Sequence, residues 1–86
     1  MLVCGRKRAD IYSSINLLIK FGKRVREVRQ DKHLSQEKLA ELAGFDRTYI
    51  SLVERGLRNI SLINLVRLAA ALRVSPSALV RGLVWH

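Results

Sequence analysis

Apolar residues recur at steps of three and four along most of the chain, which is the period of an amphipathic α-helix. The first such segment covers residues 14–32 and its period is carried by Leu18, Phe21, Val25 and Val28. Gly22 interrupts the pattern and costs a helix about 1 kcal/mol relative to alanine. The sequence therefore predicts regular helix from near Ile19, with residues 11–18 as an added turn and residues 1–10 as a loose arm.

Four shorter segments follow, each bounded by residues suited to begin or end a helix. Their predicted boundaries are Ser35 to Gly44, Asp46 to about Arg55, Ser61 or Asn59 to Arg73, and Ser75-Pro76 to about Arg81. No segment alternates apolar and polar residues with period two, as a half-buried strand would. The sequence thus predicts an all-α fold, a compact five-helix bundle around one core.

Five positions in the second and third predicted helices have the spacing of two short helices joined by a tight turn. They are Gln36, Ala40, Gly44, Ile50 and Val53. Ala40 is small where the helices cross, and Gly44 allows a positive φ in the turn. This helix-turn-helix spacing places the second helix where it can enter a DNA major groove.

The third predicted helix has two unlike faces at 100° per residue. Ile50 and Val53 point towards the core. The opposite arc carries Arg47, Thr48, Ser51, Leu52 and Arg55. Arginine can bond to guanine O6 and N7 and hydroxyl groups can donate or accept, so this arc suits the reading of base edges.

Charge favours a polyanionic partner, because 16 Lys and Arg face 7 Asp and Glu, a net charge of +9. Double-stranded DNA fits this best, although charge by itself leaves a merely basic surface or an anionic membrane open. No apolar run approaches the ~20 residues that cross a bilayer. A membrane-surface helix on residues 6–24 is a weaker alternative, since its apolar face is short and is explained as core.

Catalytic and metal-binding chemistry is not indicated. The sequence has two histidines, no paired carboxylates in a plausible cleft and no phosphate-cradling glycine loop, so we expect neither an enzyme nor a cofactor. Cys4 and His86 alone cannot complete a zinc site. A single cysteine suits a reducing cytosol, so we expect a cytoplasmic, nucleoid-associated protein of a bacterium or phage.

The run from Phe21 to Val80 resembles the xenobiotic-response-element and phage Cro/repressor family, whose fold is the lambda repressor-like DNA-binding domain. Within that family the segment DRTYISLVERGLRN resembles the controller proteins of restriction–modification systems. The resemblance implies a sequence-specific transcriptional regulator that controls its own promoter region. It also implies DNA contacts for Gln36, Arg47, Thr48, Tyr49, Ser51, Arg55, Arg58 and Asn59.

The implied roles differ along this set. Arg47, Thr48 and Ser51 would reach base edges, and Tyr49 would lie against the sugar-phosphate backbone. Arg58 and Asn59 would hold phosphates, while Arg55 would be a further phosphate contact or a solvated charge. Gln36 would bind a phosphate or orient its neighbours. Arg29 and Glu54 would form a partly buried ion pair between the first and third helices.

Three positions depart from the family pattern. Ile60 stands where proline is common, and Leu57 is apolar where a basic or polar residue is usual. Arg73 stands where glycine usually ends the fourth helix. Arg73 is therefore predicted to adopt a left-handed conformation, which disfavours side chains with a Cβ.

One such domain contacts too few base pairs to select a site in a genome. Each correctly read base pair supplies only about 1–3 kcal/mol of discrimination against other sequences. We therefore expect a homodimer on a palindromic operator, with residues 1–14 as an N-terminal arm or extension and residues 15–86 as one DNA-binding and dimerisation domain. The predicted interface comprises Ile63, Val66, Leu79, Leu83 and Trp85. The alternative that Trp85 folds back on its own core stays open.

Several other functions remain possible besides that of a restriction–modification controller protein. A phage-type repressor or an antitoxin-type autoregulator would share the same domain, and RNA polymerase would be a further partner of an activator. A protein-interaction module that has lost DNA binding would keep the core. In such a module the outer face of the third helix would drift towards acidic or bulky groups, which Arg47, Thr48 and Ser51 do not match.

Overall fold

Five α-helices follow one another in the computed structural model, which describes residues 8–85, with side chains from residue 11 onward. They are α1 (Arg8–Asp31), α2 (Gln36–Ala43), α3 (Arg47–Glu54), α4 (Leu62–Leu72) and α5 (Pro76–Val80). No strand occurs in this part of the chain. The all-α prediction with five helices is confirmed.

The first helix is longer than the sequence predicted. It begins at Arg8 and continues through Gly22 without a break, so no backbone interruption marks the predicted division at residue 14. A Cβ on Gly22 would lie 2.5 Å from the carbonyl oxygens of Val53 and Glu54. Gly22 is thus required by the close approach of α1 to the end of α3, and not by a helix boundary. The loose arm predicted for residues 1–10 is wrong for residues 8–10, which belong to α1, and residues 1–7 lie outside the described residues.

Serine side chains cap the N-termini of two helices, α2 and α4. Ser35 Oγ accepts a hydrogen bond from Lys38 N at 3.0 Å, and Ser61 Oγ accepts one from Asn64 N at 3.1 Å. Ser61, and not Asn59, therefore caps α4. Asp46 stands at the N-cap of α3 as predicted, but its side chain makes no capping hydrogen bond.

The core forms where the inner faces of all five helices meet. Its buried members are Phe21, Val25, Val28, Leu39, Ala40, Ile50, Val53, Leu68, Ala69, Leu72 and Leu79. Leu79 has 0% of its surface exposed. It therefore belongs to the subunit's own core and not to the outer surface that the dimer prediction required, because the short α5 packs against both α1 and α4.

Arg73 adopts the conformation that the sequence predicted. Its backbone φ of 59° and ψ of 42° are left-handed, and its N–H points to the carbonyl oxygens of Ala69 and Ala70 as it ends α4. A left-handed residue with a Cβ costs about 1–2 kcal/mol. The end of α4 thus carries strain that glycine would lack.

Replacing Arg73 with glycine should raise the free energy of unfolding by about 1 kcal/mol, because the Cβ clash disappears. Arg73→Ala is the matched control, since it removes the same charged side chain and keeps the Cβ. Urea unfolding of both variants measures the difference. Equal stability of the two would show that the left-handed backbone stores no strain.

Candidate nucleic-acid interface

Helix α3 presents one face to the core and the other to solvent. Ile50 and Val53 are buried, whereas Arg47 and Thr48 are exposed and Ser51 is half-buried. The polar arc that the sequence identified is therefore on the outside of the molecule. Its length of eight residues, about 12 Å at 1.5 Å per residue, suits insertion into a major groove.

The turn before α3 has the geometry that its glycine predicted. Gly44 lies in the left-handed region with φ 77° and ψ 31°. Phe45 N donates to Ala40 O at 2.8 Å, which closes the end of α2. Buried Ala40 keeps the two helices close, so the direction of α3 is set by α2.

A buried ion pair joins α1 to α3. Arg29 Nε lies 2.6 Å from Glu54 Oε2, and Arg29 Nη2 donates to Glu54 Oε1 at 3.0 Å. Gln36 Nε2 donates to the same Oε1 at 3.0 Å, and Arg29 Nη1 donates to Leu34 O at 2.8 Å. The predicted pair is present, and it includes α2 through Gln36. Gln36 is expected to bind a phosphate or to orient its neighbours, and the structure shows its contact with one neighbour, Glu54.

A second anchor was missed by the sequence analysis. Arg67 on α4 donates through Nη2 to Ala43 O at 2.9 Å and to Gly44 O at 3.1 Å. Its guanidinium carbon also lies 4.4 Å from the centroid of the Phe45 ring. Arg67 therefore holds the turn between α2 and α3 from the side of α4. Arg67 lies 23 residues from Gly44 in the sequence, so no local sequence pattern predicts its contact with the turn.

Tyr49 is fixed by neighbours on both sides. Its hydroxyl accepts a hydrogen bond from Asn64 Nδ2 at 3.1 Å. Its ring centroid lies 4.8 Å from that of Phe45 and 5.2 Å from Arg58 Cζ. Half-buried Tyr49 thus links α3, α4 and the loop that follows α3, and Asn64 is a positioning residue that the sequence did not reveal.

Positive charge collects around the outer arc of α3. Arg47, Arg55 and Arg58 are exposed, as is Asn59 beside Arg58. Glu54, the one carboxylate of α3, is buried against Arg29 and offers no free negative charge. Phosphate groups would therefore meet cations along this edge.

The residues predicted for the dimer interface differ in exposure. Ile63 and Val66 are exposed on α4, and Trp85 is 58% exposed, so its ring does not fold into the core. Leu83 is half-buried against the core. Apart from Leu79, the predicted interface residues thus retain surface that a second subunit could cover.

Metal-ligand clusters and membrane-spanning helices are both absent from the described part of the chain. Residues 8–85 contain no group of three or more His, Cys, Asp or Glu side chains placed to hold a metal ion. Within the same range, no helix combines the length and apolarity that crossing a membrane requires.

Comparison with known proteins agrees with this geometry. The helix-turn-helix family profile matches residues 25–79. The chain belongs to this family. It is 48% identical over 65 residues to control protein C.BamHI of Bacillus amyloliquefaciens, which is 74% of this chain and 80% of that protein. It is 42% identical over 65 residues to control protein C.MunI of a Mycoplasma species, covering 74% and 88%.

A solved structure extends the likeness to three dimensions. The restriction-modification controller protein C.AhdI from Aeromonas hydrophila superposes with a TM-score of 0.71 at 56% identity, covering 72% of this chain and 94% of that chain. Family and fold together make this helix-turn-helix protein a DNA-binding transcriptional regulator, and not an enzyme. The resemblance to controller proteins read from the sequence is confirmed.

Removing the carboxylate of Glu54 should lower the free energy of unfolding by about 3–5 kcal/mol, because Arg29 would stay buried without its partner. Glu41→Ala is the control, since it breaks an exposed pair with Lys38 at 3.6 Å and should cost about 0.5 kcal/mol or less. Urea unfolding measures both. Similar small losses would mean that the buried pair does not join the helices energetically.

Proposed function

We propose that two copies of this chain form a homodimer that binds a palindromic operator and regulates a restriction–modification system. Each subunit inserts α3 into the major groove of one half-site. The observation that best supports this proposal is the outward-facing arc of Arg47, Thr48 and Ser51 on a helix whose other face is buried. A helix held in this way keeps its polar face free for DNA.

Direct reading falls to the side chains at the start of α3. Arg47 has the donors for guanine O6 and N7, and Thr48 and Ser51 can donate to or accept from base edges. The recognition helix of this motif reads bases with its N-terminal residues. Arg47 is the first residue of α3, so it is placed to enter the groove first.

Phosphate contacts position the dimer on the duplex. Arg58 and Asn59 follow α3 in an exposed loop, and Arg55 ends the helix on the same side. Tyr49 lies against the sugar-phosphate backbone with its ring orientation set by Asn64. Gln36 contributes to the placement of α3 through its hydrogen bond to Glu54, and it is also a proposed phosphate contact at the start of α2.

Dimerisation supplies the specificity that one subunit lacks. Ile63 and Val66 on α4, with Leu83 and Trp85 after α5, form the surface that we assign to the partner subunit. A two-fold axis there makes the operator palindromic, with half-sites about one helical turn apart.

The relatives named control proteins support the assignment to a restriction–modification system. The dimer binds its own promoter region, activating at low occupancy and repressing when more sites fill. RNA polymerase bound beside the operator is the further partner, and the site of action is the nucleoid in the cytoplasm of a bacterium. Adjacent methyltransferase and endonuclease genes would distinguish this function from that of a phage repressor or an antitoxin.

The decisive experiment is binding of the protein to its own upstream DNA, followed by footprinting. Arg47→Ala should lower specific affinity by about 1–3 kcal/mol and relax the preference at one base position of each half-site. Arg26→Ala on α1 is the charge-matched control and should keep the preference. An unchanged base preference in Arg47→Ala would remove this residue from the reading role. Absence of any footprint for the wild-type chain would favour an interaction module that has lost DNA binding.

Arg58→Ala should weaken all DNA sequences about equally, because a phosphate contact carries no base information. The slope of log affinity against log salt should become shallower by about one unit. Titrations at several salt concentrations measure this, with Arg26→Ala again as the control. A loss confined to one operator sequence would contradict the phosphate role.

A further inference from the structure

The N-terminal half of α1 exposes an apolar stripe that the family domain does not explain. Its members are Ile11 (52% exposed), Tyr12 (56%), Ile15 (46%) and Ile19 (38%). Residues four apart on a helix drift by only 40°, so the three isoleucines form one continuous line. The stripe precedes residues 25–79, which match the family.

This stripe adjoins the surface already assigned to the partner subunit. Ile19 Cγ1 lies 2.8 Å from the position that a Cβ on Gly56 would occupy, just after α3. Ile19 and Val84 line the same surface groove of about 250 Å³. Val84 is exposed and its neighbour Trp85 belongs to the proposed interface. The stripe and the C-terminal tail thus border one groove, whose rim also carries Asn16, Lys20 and Lys23.

A stable dimer must bury more surface than the residues on α4 and the C-terminal tail provide, so the interface needs a further apolar surface. Specific interfaces bury about 800 Å² on each partner, against 5900 Å² for the whole accessible surface of the described chain. Even a large aromatic side chain buries only about 150–250 Å². The partly exposed Ile63, Val66 and Trp85 would therefore supply roughly half of the need. Four more apolar side chains make up much of the rest.

Charge favours a second copy as the occupant. Two copies of a chain with a net charge of +9 repel each other, and this repulsion is smallest when the surfaces in contact carry no charge. The two longest uncharged runs in the sequence are residues 11–19 and residues 59–66. The first contains the stripe and the second contains Ile63 and Val66. The side chains of both runs can meet their own copies across a two-fold axis without themselves bringing like charges together, while Lys20 and Lys23 lie at the edge of the first surface.

We propose that the stripe of Ile11, Tyr12, Ile15 and Ile19 packs against the partner subunit and extends the dimer interface beyond the family domain. This inference rests on the proposed homodimer. The partner's own stripe, or its tail, covers these side chains, and the flanking Lys20 stays in solvent. The dimer of this chain then depends on α1 as well as on α4 and the C-terminal tail.

Sedimentation equilibrium of the full chain tests the proposal. Ile15→Glu should raise the dimer dissociation constant on the order of tenfold or more, because it places a charge at the centre of an apolar contact. Gln30→Glu is the matched control, since it adds the same charge at an exposed position near the other end of α1. Circular dichroism checks that both variants keep their helices.

The outcomes separate this inference from the proposed function. If Ile15→Glu dimerises as tightly as Gln30→Glu while Ile63→Glu dissociates, the stripe is not an interface and the dimer proposal stands. If Ile15→Glu abolishes binding to phosphatidylglycerol vesicles and leaves the dimer constant unchanged, the stripe faces lipid and the inference is overturned. The base preference tested by Arg47→Ala depends on neither result.

Discussion

The buried ion pair between Arg29 and Glu54 connects the three helices that build the proposed DNA-binding surface. It fixes the end of α3 to α1, and Gln36 brings the start of α2 into the same hydrogen-bonded group. The pair also removes the only carboxylate of α3 from the surface. This internal contact therefore helps α2 to set the direction of the helix, and it keeps the carboxylate of Glu54 away from DNA phosphates.

The orientation of α3 depends on contacts at both of its ends. Arg29 and Glu54 hold the C-terminal end, whereas Arg67 holds the turn before the N-terminal end through two backbone carbonyls. Tyr49 in between is bonded to Asn64 of α4. The helix proposed to carry the base-reading side chains is thus held by contacts along its length before DNA arrives, which reduces the ordering cost of binding.

The sequence predicts those features of the fold that depend on local hydrophobic periodicity and on helix capping. It places five helices, the outward arc of α3 and the left-handed Arg73 correctly. It fails where the role of a residue depends on a distant part of the chain. Gly22 is predicted to interrupt α1 and to delay its regular part to Ile19, because the backbone of Val53 and Glu54 that it contacts lies some thirty residues away. Arg67 escapes notice for the same reason. Leu79 sits on a helix of five residues, too short for a period to distinguish core from interface.

The contact at Gly22 also affects how operators can vary. Because α1 lies against the backbone of α3 with no room for even a Cβ, the two helices cannot slide past each other. In the proposed dimer, the distance between the two copies of α3 is then fixed, and it selects one spacing of the half-sites. Inserting a single base pair between half-sites would rotate one of them by about 34–36° about the duplex axis, and the close contact of α1 with α3 opposes a matching rotation of α3 within its subunit.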